Sequence, residues 1–309
     1  MIDLVKDFYN SFIHDHRKFW LFVLILIILF FLGQATLNNN PNVNKNNKQY
    51  VNSIYMSDGR IYNNYLNQRE KDMYDFIMSR IKKNKRVTKK PLKEYGCSSH
   101  QECYSLMSIA TDAIWIDHPE LLSFASFDYS YDPRSSLLTF RIRKSFKLPL
   151  MDKIGEMIIN YKIKKIQRAT KDMTDKEKII YVYNWIGDNA TYDRIFTLDS
   201  KNQTIYNVFI NHNAVCAGFA KTAQVIFQAI GINSYSIEGT TSDLHMWNIV
   251  EVDGEYYYFD STYAAAIKRD HPMYYDGLIQ SKMEDHKATH PERYPTLSTR
   301  DLFTDGELK

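Results

Sequence analysis

The sequence predicts an α+β fold, because helical and strand-like patterns occur in separate stretches of the chain. Helical spacing of apolar residues follows Cys216, and a second helix is predicted from about Asp175 to Asn189. Strand-like alternation fills residues 244–262, with Asp253-Gly254 at the centre. An Asp-Gly pair between two alternating runs is a strong signal for a two-residue hairpin.

The composition is that of an ordinary globular protein. The chain has 309 residues, of which 44% are hydrophobic and 24% charged, and its formal net charge is +3. This charge is too small to predict a nucleic-acid partner. Three cysteines exclude a four-cysteine zinc site and a disulfide-dense scaffold. The length allows one large domain or two smaller ones.

The N-terminal segment 1–37 predicts a short cytoplasmic stub followed by a membrane anchor. Phe19 to Leu32 is an unbroken apolar run that can extend to Leu37, close to the roughly 20 residues that a spanning helix needs. Arg17 and Lys18 precede it, which predicts a cytoplasmic N-terminus. The alternative is a signal peptide cleaved after Ala35, which would release a secreted protein. Both readings place the rest of the chain outside the cytoplasm.

The remaining chain is predicted to form a spacer and two folded parts. Residues 38–65 begin with NNNPNVNKNN, which cannot bury enough apolar area to fold, so this stretch is expected to be a spacer. Residues 66–150 form the predicted N-terminal α/β extension, with a helix over Leu66 to Ile81 and a strand over Thr139 to Arg143.

The predicted C-terminal part, residues 151–309, has its core at about 174–263. Thr174 and Glu177 match a capping box in front of an apolar-periodic run. We find no internal repeat in the chain.

A basic tract lies at residues 80–93. It contains eight basic residues and no acidic one: Arg80, Lys82, Lys83, Lys85, Arg86, Lys89, Lys90 and Lys93. Outside a cell, such a tract can bind an anionic envelope polymer or lipid headgroups. The alternative is a solvated helix end and loop.

Cys97 and Cys103 lie close together in CSSHQEC. Outside the cytoplasm they are expected either to form a local disulfide or to remain two unpaired thiols. If they pair, Cys216 is the remaining free thiol and a candidate reactive group.

Cys216 is predicted at or just before the first turn of a buried helix. There the helix dipole favours the thiolate over the thiol. Backbone N–H groups that converge at a helix start can also stabilise an oxyanion. The alternative is a small buried hydrophobic residue with no chemical role.

The hairpin brings a histidine and an aspartate together. If Val252 pairs with Glu255, alternation places His245 and Asp260 on one face as diagonal neighbours, roughly 5–8 Å apart at their β-carbons. A thiolate nucleophile needs a base, and the base needs an orienting group. Cys216, His245 and Asp260 supply these three types in that order.

The other histidines are weaker candidates. His212 has no carboxylate partner that the sequence indicates, and His271, His286 and His290 lie in a polar C-terminal region. No metal-ligand spacing recurs among them, so no metal is expected. No acidic loop has EF-hand spacing, so neither calcium nor another cofactor is expected.

Three stretches of this sequence resemble the transglutaminase-like superfamily, specifically its exported bacterial branch. They are KIIYVYNWIGDNATYD (178–193), VCAGFA (215–220) and LHMWNIVEVDGEYYYFDST (244–262). The resemblance implies a papain-like fold, in which the helix that carries the cysteine packs on an antiparallel sheet that carries the other two residues.

The resemblance also implies roles for particular residues. Cys216 would be the nucleophile, His245 the base and Asp260 the orienting group. Tyr206 and Trp247 match positions near the site and are weaker candidates for substrate or oxyanion contacts, and Trp247 is expected mainly to pack. Ala217 departs from the family pattern, in which a polar residue often follows the cysteine.

The sequence therefore predicts a membrane-tethered, extracytoplasmic cysteine acyltransferase or cysteine protease. Its substrates would be surface proteins or wall peptides, processed by transamidation or by hydrolysis. Two alternatives remain open: a catalytically silent module that binds or organises the envelope, and a structural role in which Cys216 forms an intermolecular disulfide.

Overall fold

The computed structural model describes residues 59–122, 124–144, 149–194, 200–304 and 306–308. They belong to one compact unit, Val51–Lys309. The predicted anchor, residues 19–37, lies outside the described residues. None of the described helices is both long enough and apolar enough to cross a bilayer.

The N-terminal part combines helices with a small sheet. Its sheet is antiparallel, with the order β1-β3-β2. The elements are α1 (Arg60–Tyr65), α2 (Gln68–Lys82), β1 (Val87–Pro91), α3 (His100–Asp117), β2 (Phe124–Asp132) and β3 (Leu137–Lys144).

The predicted spacer, residues 38–65, extends too far at its C-terminal end, because Arg60–Tyr65 forms helix α1. Ile61 is fully buried in the N-terminal core. The backbone N–H groups of Ile61 and Tyr62 donate to the two carboxylate oxygens of Asp117, each at 3.0 Å. Asp117 therefore satisfies donors that a helix start leaves without a partner.

Local sequence signals explain where α2 and α3 begin. The side chain of Asn67 accepts from the N–H of Glu70 at 3.1 Å, and Glu70 accepts from the N–H of Asn67 at 2.8 Å. This reciprocal pair is a capping box. Ser99 caps α3 in a similar way by accepting from the N–H of Glu102. Just before α3, Cys97 forms a disulfide with Cys103.

The C-terminal part packs helices on a four-stranded antiparallel sheet with the order β8-β7-β6-β9. Its helices are α4 (Pro149–Ala169), α5 (Asp175–Asn189), α6 (Cys216–Ala229) and α7 (Thr262–Ala266). Its strands are β4 (Thr191–Tyr192), β5 (Asn213–Ala214), β6 (Ser234–Thr240), β7 (Leu244–Val252), β8 (Glu255–Phe259) and β9 (Lys287–Ala288).

The hairpin between β7 and β8 has the predicted register. Val252 pairs with Glu255, and Asp253 and Gly254 both have positive φ, as a type I′ turn requires. The pairing ends at Asn248 opposite Phe259. The predicted second strand was therefore too long at its C-terminal end.

Helix α6 lies against β6 and β7, and it also reaches the N-terminal part. Ala220 and Met246 are buried in the same cluster as the side chains of α2 and α3, and Cys216 packs against that cluster. The N-terminal part thus packs directly beside the start of α6.

Candidate active site

Cys216 is the first residue of α6 and is partly exposed. Val215 precedes the helix in an extended conformation and provides no side-chain cap. A Cβ at Gly218 would lie 2.9 Å from the Ala214 Cβ and 3.0 Å from the Asn202 carbonyl oxygen. Glycine at 218 therefore allows the first turn of α6 to pack tightly on the segments that lead into it. With Cys97 and Cys103 joined, Cys216 is the free thiol of the chain.

His245 and Asp260 are hydrogen-bonded to each other. The Nε2 of His245 lies 2.8 Å from Oδ2 of Asp260. His245 is near the start of β7 and pairs with Gly239 of β6. The β7–β8 pairing ends at Asn248, so His245 has no partner in the β8 ladder. Asp260 follows the last residue of β8, so it reaches His245 from outside the strand ladder.

The Asp260 carboxylate is buried and surrounded by donors. Its Oδ1 accepts from the N–H of Thr262 at 2.9 Å, and its Oδ2 also lies 3.3 Å from Nε2 of His286. Burial alone would raise the pKa of Asp260, but the hydrogen bonds from His245 and His286 outweigh it and hold this pKa below its usual range. Asp260 is therefore an ionised acceptor.

This assignment fixes the proton on His245. Because an ionised carboxylate only accepts, Nε2 of His245 carries the hydrogen, and Nδ1 is left for another partner. The His245 ring also has a hydrogen bond with the side chain of Cys216. Burial works to lower the pKa of His245, but the bonds to Asp260 and Cys216 outweigh it and raise this pKa to about 10. The three predicted residues thus lie in one hydrogen-bonded chain.

His286 is a residue that sequence reasoning missed. It was assigned to a polar C-terminal region, but its side chain is only 1% exposed and contacts Asp260. Strand β9, which begins with the next residue, pairs with Gly239 and Thr240 at the edge of β6. This long-range pairing carries no local sequence signal, since β9 has only two residues.

His245, Asp260 and His286 could hold a metal ion by their number and spacing. Each offers one ligand atom, and these atoms lie within 4.8 Å of one another. Three protein ligands are usual in catalytic zinc sites. However, Nε2 of His245 and Nε2 of His286 each donate a hydrogen bond to Asp260. A cation bound to these three residues would therefore have to replace two protons.

Tyr192 is the second residue that sequence reasoning missed. Strand β4 runs parallel to β5, and this pairing places Tyr192 opposite Ala214, two residues before the cysteine. The backbone N–H of Cys216 donates to the phenol oxygen. Burial and the charges of Cys216 and Asp260 raise the pKa of Tyr192, so the phenol is neutral beside the nucleophile.

Tyr206 and Trp247 occupy packing positions. Tyr206 is buried in the main core, and a Cβ at Gly155 of α4 would lie 2.8 Å from its ring. Trp247 is fully buried, with its ring centroid 6.0 Å from that of His245 and 5.7 Å from that of Tyr258. This burial favours the packing role that was expected for Trp247.

Comparison with known protein families identifies the C-terminal part. Residues 163–261 match the model of the transglutaminase-like superfamily. The chain contains a transglutaminase-like domain. The match includes Cys216, His245 and Asp260 and leaves out the N-terminal helices and their sheet. The mixed helix-and-sheet architecture is consistent with the expected papain-like fold.

Solved structures resemble this chain only in part. A crystal structure of a TGase is 17% identical over 41% of this chain and 41% of its own, with a TM-score of 0.33. A candidate cysteine protease from Cytophaga hutchinsonii is 14% identical over 45% of this chain and 62% of its own, with a TM-score of 0.28. A candidate protease from Parabacteroides distasonis is 14% identical over 44% of this chain and 36% of its own, with a TM-score of 0.29. The chain thus spans less than two thirds of each of these structures. No curated protein matches the sequence.

Proposed function

We propose that this protein is a cysteine enzyme that transfers the acyl group of an amide through a thioester on Cys216. One observation carries the proposal: the His245 ring bonds to the carboxylate of Asp260 at 2.8 Å and to the side chain of Cys216. A nucleophile, a base and a group that orients the base are the three parts that such chemistry needs.

With its pKa raised to about 10, His245 is protonated on both nitrogens near neutral pH, so the reaction begins from the ion pair in which Nδ1 of His245 holds the proton that Cys216 has given up. The sulfur then attacks the amide carbonyl carbon, and the carbonyl electrons move onto oxygen. As this tetrahedral intermediate collapses, the C–N bond breaks and His245 returns its proton to the leaving amine. The acyl group is then held on Cys216 as a thioester.

The second half of the reaction releases the acyl group. Water or a second amine gives its proton to His245 and attacks the thioester carbonyl, after which the C–S bond breaks and the sulfur regains a proton. Water gives hydrolysis, and an amine gives a cross-link. The residues of the site serve both outcomes, so the access of water to the thioester decides between them.

The start of α6 and Tyr192 support stabilisation of the oxyanion. Cys216 is the first residue of α6, and the helix dipole favours negative charge at this end of the helix. The neutral phenol of Tyr192 lies beside the Cys216 N–H and has a proton to donate. Donors aimed at a developing charge are the largest contribution to catalysis in many enzymes.

We further propose that the enzyme acts outside the cytoplasm on surface proteins or wall peptides. The disulfide between Cys97 and Cys103 supports this location, because such bonds persist in oxidising compartments. The apolar run at residues 19–32 would tether the chain to the membrane. The basic tract at 80–93, at the end of α2 and on β1, would hold an anionic envelope polymer.

Thiol labelling of the full-length protein tests the nucleophile. We expect iodoacetamide to alkylate Cys216 readily near neutral pH, and to react much more slowly in a His245→Gln variant that remains folded. Equal labelling rates in the two proteins would contradict the proposed Cys-His pair and would favour the silent envelope-binding module.

Trapping of the acyl-enzyme tests the reaction. The protein is incubated with a cell-envelope extract and a biotinylated primary amine, with Cys216→Ala as the matched control. Amine incorporation that depends on Cys216 indicates transamidation, and new peptide termini without incorporation indicate hydrolysis. Identical products from wild type and Cys216→Ala would overturn the proposal, and a covalent dimer on non-reducing gels would instead indicate the structural disulfide role.

A further inference from the structure

The Asp260 carboxylate has two imidazole partners on the same oxygen atom. His245 lies 2.8 Å from Oδ2 and His286 lies 3.3 Å from it, while Oδ1 accepts from the backbone of Thr262. An ionised carboxylate has about four acceptor positions, so all three donors can bond at once. As for His245, the nitrogen of His286 that faces Asp260 must carry the hydrogen.

The fold holds the His286 ring in place from the interior side. The ring centroid of Trp247 lies 5.0 Å away at 89°, an edge-to-face contact, and Tyr258 packs at 5.9 Å. The chain then enters β9, whose approach to β6 is unusually close. A Cβ at Gly239 would lie 2.2 Å from the carbonyl oxygen of Lys287, so only glycine fits at this point.

The solvent side of the ring has a partner as well. Nδ1 of His286 lies 2.9 Å from Oδ1 of Asp285, whose side chain is 62% exposed. The ring is therefore oriented by a carboxylate at each nitrogen, one buried and one at the surface. Packing alone would fix the position of the ring, but it would not require a nitrogen at either of these two points.

We propose that His286 is a positioning residue, which donates its Nε2–H to Oδ2 of Asp260 and so holds that carboxylate in the orientation that His245 needs. The inference rests on the function proposed above. Without the Nε2–H of His286, the buried Oδ2 of Asp260 loses one hydrogen-bond partner. This loss lowers the free energy of unfolding and allows the Asp260 carboxylate to rotate. The His245 ring would then lose its fixed orientation toward Cys216.

Two variants separate the hydrogen bond from the packing. His286→Gln places an amide nitrogen at about the position of Nε2, and His286→Leu fills similar space without a donor. The rate of Cys216 alkylation by iodoacetamide near neutral pH is measured in the full-length protein, together with thermal unfolding. We expect His286→Leu to react about ten-fold more slowly and His286→Gln to stay within about three-fold of wild type.

A double-mutant cycle tests whether His286 acts through Asp260. In an Asp260→Asn background, His286→Leu should cause no further loss of rate, because the acceptor that it serves is already altered. Three results would each overturn the proposal. The alkylation rate of Cys216 could fall equally in His286→Leu and His286→Gln, or it could stay at the wild-type value in His286→Leu. It could also fall by the full factor again when His286→Leu is added to Asp260→Asn.

Nitrogen NMR of the wild-type imidazoles provides a test that needs no variant to fold. We expect the hydrogen of His286 that faces Asp260 to be on Nε2, and finding Nε2 unprotonated would overturn the inference. Failure of the proposed function would look different, since Cys216 would then react at the same rate in wild type and in His245→Gln, whatever the state of His286.

Discussion

The backbone carbonyl of Gly277 accepts a hydrogen bond from the N–H of Asp260 at 2.8 Å, and this contact leaves no room for a side chain at position 277. A Cβ there would lie 2.1 Å from the Asp260 carbonyl oxygen and 3.1 Å from the hydroxyl of Tyr183. Asp260 lies beyond the end of β8, so the segment around Gly277 holds its backbone where the strand ladder no longer does.

Gly277→Ala should therefore disturb the site through the backbone of Asp260. The added methyl group meets a backbone oxygen that cannot move aside alone, so we expect a loss of about 1–3 kcal/mol in the free energy of unfolding. Cys216 should also react more slowly with iodoacetamide. Urea unfolding and the labelling rate measure the two effects.

Gly306→Ala is the matched control for this substitution. A Cβ at Gly306 would come no closer than 4.0 Å to its nearest neighbour, the hydroxyl oxygen of Thr304. We expect wild-type stability and labelling from it. Wild-type behaviour from Gly277→Ala would show that the contact does not position Asp260.

The sequence predicts those parts of the fold that depend on local signals. The turn at Asp253-Gly254 determines the register of β7 and β8, and Thr174 and Glu177 form the predicted capping box at the start of α5. Helix α6 begins at Cys216 and is followed by Gly231, whose φ of 82° suits a helix end. Each of these features involves residues only a few positions apart.

The remaining features depend on contacts between distant segments. His286 reaches Asp260 because β9 returns to the edge of β6, and Tyr192 reaches Cys216 because the two-residue strands β4 and β5 pair. Strands of two residues have no periodicity to detect. The end of β8 at Phe259 was also missed, because Tyr and Phe favour strands while the turn at Asp260 is held by Gly277.

The disulfide between Cys97 and Cys103 should stabilise the N-terminal part. It closes a short loop that runs from just before α3 into the first turn of that helix, and loop closure of this size contributes about 2 kcal/mol by restricting the unfolded chain. We expect dithiothreitol to lower the unfolding temperature of wild type. The Cys97→Ala, Cys103→Ala double variant should start lower and not respond to the reductant, and an equal response of both proteins would contradict a disulfide in wild type.

Tyr192→Phe should separate acylation from alkylation. The variant keeps the ring, which packs 6.2 Å from that of Phe219, and removes only the hydroxyl. Loss of one donor to the oxyanion should slow acylation of Cys216 by p-nitrophenyl acetate about ten- to a hundred-fold. Alkylation by iodoacetamide forms no oxyanion and should be almost unchanged. Equal effects on the two reactions would assign Tyr192 to the nucleophile itself or to the fold.

Ionisation of Glu238 should lower the stability of the protein as the pH rises. This residue lies on β6, opposite Met246 of β7, and is half-buried. Burial raises the pKa of Glu238 to about 7, and the charge of Asp112 adds to this effect, while Lys221 and Arg293 oppose it. The folded protein therefore binds the proton of this carboxyl group more tightly than the unfolded chain does.

The direction of the effect follows from proton linkage. Between the usual carboxyl pKa of 4.5 and the folded value of about 7, the folded state holds a proton that the unfolded state has lost. The contribution of Glu238 to stability is thus complete below about pH 4.5, falls as the pH rises through this window, and levels off above about pH 7. Glu238→Gln cannot ionise, so relative to wild type its free energy of unfolding should rise between about pH 5 and about pH 8.

Urea unfolding of both proteins across this range measures the difference. Glu284→Gln is the control, because Glu284 is exposed and its replacement should leave the pH dependence of wild type in place. A constant difference between Glu238→Gln and wild type at all pH values would show that Glu238 titrates alike in the folded and unfolded states. Its burial beside Asp112 would then have no energetic effect on its ionisation.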